Sequence, residues 1–327
     1  MHTPPQTSPL PFIAADAVAR LLPFAELVEA LRKAFAATDL VAPQRQHYRL
    51  DGLAAGDPVL LAMPAWSPGL GVGAKLVTVY PQNQRLGLPS IHGVYVLMHA
   101  ATGRPEAVLD AGELTARRTA ATSALASRFL SRAQSHTLLM VGTGRLAQVL
   151  PLAHASVRPI QRVLVWGRTP DKAAATARHL CSQGLQAEPV QALEQACAQA
   201  DIISCATLSS AALVQGEWLK PGTHVDLVGA FTPTMREADD QVFQRASAIW
   251  CDTLGGVLAE GGDVVQALAS GALSRDRIAG DLSELCRGSA SVVRSDQDIT
   301  IFKSVGAALE DLAAARLCLT RLTALPV

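Results

Sequence analysis

The stretch Val141-Gly142-Thr143-Gly144-Arg145-Leu146-Ala147 follows an apolar run, Thr137–Val141, and precedes a segment of helical pattern. Its spacing is G-x-G-x-x-A, and strand, glycine turn and helix in that order make a phosphate-binding turn. Gly142 is expected to form the tight turn, Gly144 to admit a pyrophosphate to the backbone, and Ala147 to bring helix and sheet close together. Thr143, Arg145 and Leu146 join them as candidate cofactor contacts. Pro151 falls inside the expected helix and should kink it.

Downstream, strand-like and helix-like segments alternate: Arg162–Trp166, a helix over Asp171–Gln183, then Asp201–Ala206, His224–Gly229 and Ile299–Phe302. Such alternation implies βαβ crossovers and a parallel sheet, an α/β Rossmann domain over residues 131–304. Thr207 and Val228 fall near the ends of two of these strands, where ligands of such sheets bind. The second strand ends in Trp166-Gly167-Arg168-Thr169, without the Asp or Glu that would hydrogen-bond a ribose 2′-hydroxyl. Arg168, with Thr169 beside it, suits a 2′-phosphate, so NADP(H) is expected over NAD(H). The other reading makes Arg168 a solvated loop residue and Thr169-Pro170 only the start of a helix.

Upstream, Leu114–Leu130 is an unbroken Ala-rich helical pattern, which puts a boundary near residue 130. Before it lie apolar residues at helical spacing from Leu21 to Phe35 and β-like segments around Val59–Met63, Val72–Tyr80 and Gly93–His99, an α+β unit. The Pro-rich first dozen residues read as a loose arm, with structure starting near Ala14. A last helix, from about Val305 to Leu322, is expected to leave the Rossmann domain and pack back on the first unit. The 327 residues carry 28 Lys+Arg against 28 Asp+Glu, so no long-range field favours nucleic acid or anionic lipid. No apolar run approaches the roughly 20 residues of a membrane helix, no signal-peptide pattern opens the chain, and the cysteines show no metal-ligand spacing. A cytoplasmic protein with reduced, mostly packed thiols is expected.

Lys75 stands in a strand whose two alternating faces are both largely apolar, and Arg118 shares a helical stripe with Ala121, Thr122, Leu125 and Phe129. Arg117 should face outward. Cations in apolar surroundings need an anion. A small carboxylate ligand beside the cofactor cleft would supply one, and so would internal acids such as Asp110 or Glu113. Arg45 lies in Gln44–Tyr48, whose face the pattern does not assign. His92 is either a proton donor, since imidazole titrates near neutrality, or a packed strand residue. Asp226, inside an apolar strand, reads as a hydrogen-bonded structural carboxylate.

Several segments together resemble one family over nearly the whole chain: Gly73–Thr78 (G-A-K-L-V-T), Leu114-Thr115 with Arg118–Ala124 (R-T-A-A-T-S-A), Val141–Ala147, Val228-Gly229-Ala230, and Phe302–Gly306 (F-K-S-V-G). They are similar to the ornithine cyclodeaminase and mu-crystallin family. The resemblance implies a homodimer whose substrate and dimerisation domain, residues 1–130 plus 305–327, is completed by the C-terminal helix, with the Rossmann domain binding a nicotinamide cofactor. It implies that Arg45, Lys75 and Arg118 hold a substrate carboxylate, that Ser90 lies in the same pocket, and that Val305 and Gly306 approach the nicotinamide. It therefore favours a ligand as the anion that the buried cations need.

The departures from the family matter as well. Cyclodeaminases carry an Asp two residues before the proline that follows V-G-[GA], whereas this chain reads Val228-Gly229-Ala230-Phe231-Thr232-Pro233. A lysine and a glutamate of those enzymes correspond to Met235 and Leu61 here. Acid–base groups typically supply about 10²–10⁴-fold each, so cyclisation without them is severely handicapped. Reduction of a cyclic ketimine needs less, a clamped carboxylate and a protonated nitrogen. The expectation is an NADPH-dependent reductase of Δ1-pyrroline-2-carboxylate or Δ1-piperideine-2-carboxylate. Lys75, Arg118 and His92 are its catalytic candidates, and Arg45, Ser90 and Phe231 contact the small imino or amino acid. Ornithine cyclodeamination, alanine dehydrogenase-like oxidation, and cofactor-dependent binding of an aromatic ligand without catalysis are the alternatives.

Overall fold

The computed structural model describes residues 9–54 and 56–324; residues 1–8, read as part of a loose arm, lie outside them. Six strands form a first sheet in the order β1-β6-β5-β4-β3-β2: β1 (Phe12–Ile13), β2 (Gln46–Arg49), β3 (Val59–Ser67), β4 (Gly71–Val79), β5 (Ile91–Met98) and β6 (Pro105–Asp110). Strands β2 to β6 are antiparallel neighbours, while β1 pairs in parallel with β6, so regular structure starts before the expected Ala14. Eight parallel strands form the second sheet: β7 (Thr137–Val141), β8 (Arg162–Trp166), β9 (Ala187–Pro189), β10 (Ile202–Cys205), β11 (His224–Leu227), β12 (Ala248–Cys251), β13 (Ile278–Asp281) and β14 (Thr300–Lys303). Their order is β13-β12-β14-β11-β10-β7-β8-β9. The order reverses at β7, the switch point at which doubly wound folds bind dinucleotides. The last strand, β14, inserts between β11 and β12 and so carries Ser304-Val305-Gly306 to the centre of the same edge.

The helices are α1 (Ala15–Leu21), α2 (Phe24–Ala36), α3 (Ala111–Leu130), α4 (Leu150–Ala155), α5 (Pro170–Ser182), α6 (Leu193–Gln199), α7 (Asp240–Arg245), α8 (Leu254–Glu260), α9 (Gly262–Ser270), α10 (Leu282–Arg287) and α11 (Ala308–Ala324). After the glycine turn the chain forms a 3-10 turn, Leu146–Gln148, and then α4, instead of one kinked helix. Pro151 sits in the first turn of α4, where its missing N–H is no loss. Helix α11 packs on β3, β4 and β5 and against α2 and α3, as the sequence pattern implied.

Register explains which side chains meet. Met63 pairs with Lys75, and Lys75 with Tyr95, so all three share the inner face of the first sheet, which α3 and α11 cover. One apolar core runs from this face through α2 and α3 to Met140 and Val163 of the parallel sheet. The outer face of the first sheet is apolar but only half covered, with Leu76 40% and Trp66 41% exposed. Cys197, Cys205, Cys251 and Cys318 are buried, as expected of packing thiols. Among the described residues, no helix is long and apolar enough to cross a membrane.

Candidate active site

Lys75 points from β4 toward the start of α11. Its Nζ lies 2.9 Å from Asp311 Oδ2 and donates to Thr115 Oγ1 at 3.3 Å. Arg118, on the buried stripe of α3, donates from Nη1 to Glu310 Oε2 at 2.6 Å and from Nε to Asp311 Oδ1 at 3.0 Å. Internal acids therefore neutralise both cations, but they are Glu310 and Asp311, not Asp110 or Glu113. Asp110 caps α3 by accepting the Glu113 N–H at 2.7 Å, and Glu113 holds Arg117 and Arg145. Arg117 is not fully outward: it donates to the Leu22 carbonyl at 2.9 Å and stacks on Phe24 with 4.8 Å to the ring centroid. The acid pair escaped the sequence reading because acids in a helix's first turn read as ordinary partners of its dipole.

The pairing does not remove these cations from solvent-sized space. Arg45, Lys75 and Arg118 reach one cavity of about 380 Å³, whose apolar wall includes Leu61, Met63, Val77, Ile91 and Phe231. A guanidinium has five N–H donors, and the internal bonds of Arg118 use Nε and Nη1, which leaves Nη2. Arg45 donates from Nη2 to the carbonyls of Val305 and Gly306, both at 2.6 Å, and its Nε lies 3.3 Å from Glu260, which leaves Nη1. Burial, and then the Arg118 charge, lower the Lys75 ammonium to about 8 in spite of Asp311. Burial also works against the Arg118 charge, but Asp311 and Glu310 outweigh it and keep the guanidinium ionised.

The Val305-Gly306 turn is held from both sides. Arg45 takes its carbonyls, and Asp252 accepts the Val305 N–H at 2.8 Å and the Gly306 N–H at 2.6 Å. Burial, reinforced by nearby Glu310, raises Asp252 to about 6 against those N–H bonds. Gly306 has φ 83°, and a Cβ there would strike the Arg118 guanidinium, so only glycine allows both the turn and the close approach. Asp252 was not found from sequence, since nothing marks one acid after an apolar strand.

Two sequence candidates do not join this cavity. His92 pairs with Thr78, which puts it on the face opposite Lys75; it is exposed and lines a separate groove with Leu60 and Leu76. Strand alternation alone would have excluded it. Ser90 lies just before β5 and is not among the cavity walls; its Oγ is buried without a hydrogen-bond partner. Asp226 is the structural carboxylate expected, accepting from Ser123 Oγ at 3.0 Å and Ser204 Oγ at 2.7 Å, with His154 Nε2 3.2 Å away.

The glycine turn meets the other requirement. Gly142 has φ 125°, donates to the Trp166 carbonyl at 2.9 Å, and lies so near β10 that a Cβ would come within 2.6 Å of the Ala206 carbonyl. Gly144 faces open space with no atom within 4 Å of its missing Cβ, the cradle a phosphate would fill, and Ala147 is fully buried. Thr143 packs against Gly167, while Arg168 and Thr169 are exposed just beyond β8. Arg145, ion-paired to Glu113 at 2.7 Å, and Leu146 also line the cation cavity, as do Val228, Val305 and Gly306. The residues therefore fit a dinucleotide whose reactive end reaches that cavity.

A model of the ornithine cyclodeaminase/mu-crystallin family matches residues 12–324. The Δ1-pyrroline-2-carboxylate reductase of Paracoccus denitrificans is 38% identical over 305 residues, 92% of this chain and 93% of that protein. The structure of the Thermococcus litoralis Δ1-pyrroline-2-carboxylate reductase in complex with NADH and L-proline superposes with a TM-score of 0.89 at 28% identity, covering 96% of this chain and 98% of the other. An archaeal alanine dehydrogenase dimer with bound NAD gives a TM-score of 0.87 at 26% identity, covering 96% of each chain.

Proposed function

This chain belongs to the ornithine cyclodeaminase/mu-crystallin family, and from that premise we propose that it reduces cyclic imino acids, Δ1-pyrroline-2-carboxylate or Δ1-piperideine-2-carboxylate, with a nicotinamide dinucleotide. The observation that carries this reading is the single cavity in which Arg45, Lys75, Arg118 and Arg145 face an apolar wall beside the glycine turn. Gly142, Thr143, Gly144 and Ala147, with Thr207, Val228, Val305 and Gly306, would hold the cofactor, which when bound supplies hydride to the C=N carbon. Arg118 Nη2 and Arg45 Nη1 bind the substrate carboxylate by charge-assisted hydrogen bonds. Lys75 donates the proton to the ring nitrogen. With its ammonium at about 8 it is mostly charged at neutral pH and still a competent acid, so the rate falls as pH rises through that value. Phe231 and Leu61 pack on the ring and keep water out; neither can act as the base that cyclodeamination requires.

Arg168, exposed where a 2′-phosphate would lie, favours NADPH, although the two related structures carry NADH and NAD. Residues 1–130 with 305–327 act as the substrate domain, and the apolar outer face of the first sheet supports a homodimer. Free cysteines agree with a cytoplasmic setting. The direct test is oxidation of NADPH and, separately, NADH in the presence of each cyclic imino acid. Turnover, faster with NADPH, is expected. Tight cofactor binding without turnover on either substrate overturns the reading, and proline formed from ornithine without added oxidant would replace it with cyclodeamination.

A further inference from the structure

Behind the cavity wall lies a group of buried ionisable residues that the reaction above does not use. Lys303, at the end of β14, donates from Nζ to the carbonyls of Leu227, at 3.2 Å, and Gly229, and lies 3.3 Å from Asp263 Oδ2. Asp263 Oδ1 accepts the N–H groups of Glu237 at 2.7 Å and Ala238 at 3.0 Å. Glu237 Oε1 accepts both the N–H of Thr207, at 2.6 Å, and its hydroxyl, at 2.8 Å. Glu237, Asp263 and Lys303 are all fully buried.

These bonds converge on the segment that leaves β11. A Cβ at Gly229 would strike the Thr207 carbonyl and the Glu237 carboxyl, so both lie against the Gly229 backbone. The next residue, Ala230, is fully buried with φ 49°, a region that a residue with a Cβ holds only when its surroundings over-determine it. Its carbonyl accepts the Gly262 N–H at 2.9 Å, one residue before Asp263. Phe231 and Val228, on either side, face the cavity. The cluster thus grips the cavity wall through Gly229 and the dinucleotide edge of the sheet through Thr207.

The charges do not balance: two buried carboxyls face one ammonium. Glu237 Oε2 is buried and has no hydrogen-bond partner. A proton on Glu237 removes the excess charge. Resting on the reading that a dinucleotide lies over the glycine turn, we propose that Glu237, Asp263 and Lys303 form a positioning cluster, with one exchangeable proton held on Glu237, that sets Thr207 and the Val228–Phe231 wall for cofactor binding. Burial, and then the Asp263 charge, push Glu237 up to about 8, opposed by Lys303 and the Thr207 bonds. Cys205, on β10, also faces it, and its thiol is itself pushed up by burial.

The test is the affinity for NADPH and NADH, read by protein fluorescence without any imino acid, across the range around the Glu237 value of about 8. The wild-type protein should lose affinity several-fold as pH rises through it, and Glu237→Gln, which has no proton to lose, should flatten the profile. Glu237→Leu, which leaves two Thr207 donors unpaired, should weaken binding about tenfold; should it fail to fold, the Glu237→Gln profile carries the test. A flat wild-type profile, or a Glu237→Gln profile as steep as the wild type, overturns the proposal. Because no imino acid is present, failure of the cluster and failure of the reductase reading give different results.

Discussion

Arg118 is bound on both sides, by two carboxylates behind it and the cavity in front. Arg118→Ala would leave Asp311 with Lys75 alone and take from Glu310 its ion-pair partner, and losing one partner of a buried charge group costs about 3–5 kcal/mol. Chemical denaturation should show that loss. Arg118→Lys is the sharper probe of function. An ammonium keeps the charge but lacks the planar fork, so it cannot hold both acids and still present two donors to a substrate carboxylate. The expected outcome is KM for the imino acid raised about tenfold or more, with cofactor affinity kept. Unchanged KM would show that the carboxylate binds elsewhere. Lys75 and Arg118 were legible in the sequence as buried cations, because a cation within an apolar pattern needs an anion, whether a ligand or an internal acid. Glu310, Asp311 and Asp252 were not, because acids at a helix start or after a strand are ordinary, and their burial depends on what packs over them.

At the scale of elements, the strand, glycine turn and second strand were legible with their boundaries, since β7 and β8 are short apolar runs flanked by turn residues. The position of β14 was not. Sequence order shows that a strand exists, but its neighbours follow from sheet pairing, and here the last strand enters between two earlier ones. That insertion presents the Val305-Gly306 turn to the cavity, with Asp252 and Arg45 clamping it. Gly306→Ala should therefore disturb both the turn and Arg118. The left-handed φ alone costs about 1–2 kcal/mol, and the added methyl displaces the guanidinium. A lower melting temperature together with a raised KM for the imino acid is the expected result, and a variant with wild-type values of both would show that the turn tolerates a side chain.

For the whole molecule, the outer face of the six-stranded sheet is apolar and only half covered, with Leu76 and Trp66 near its middle and edge. Contiguous patches of this kind mark association sites. Leu76→Asp should convert a homodimer to monomers, read by light scattering during size-exclusion chromatography, while a protein that is monomeric from the outset removes that role from the face. Strand alternation made the two faces legible, but only packing shows which one α3 and α11 cover.

The placement of the acid pair has a consequence for synthesis. Asp311 follows Lys75 by 236 residues, and Arg118 by 193. A ribosome therefore releases every strand of the first sheet, and then the entire nucleotide-binding half, before the carboxylates that permit those cations to leave water exist. Until then the nascent sheet must keep that face hydrated. Its closure is tied to the arrival of the final helix, and a chain cut short before residue 310 would expose both cations and the apolar residues around them.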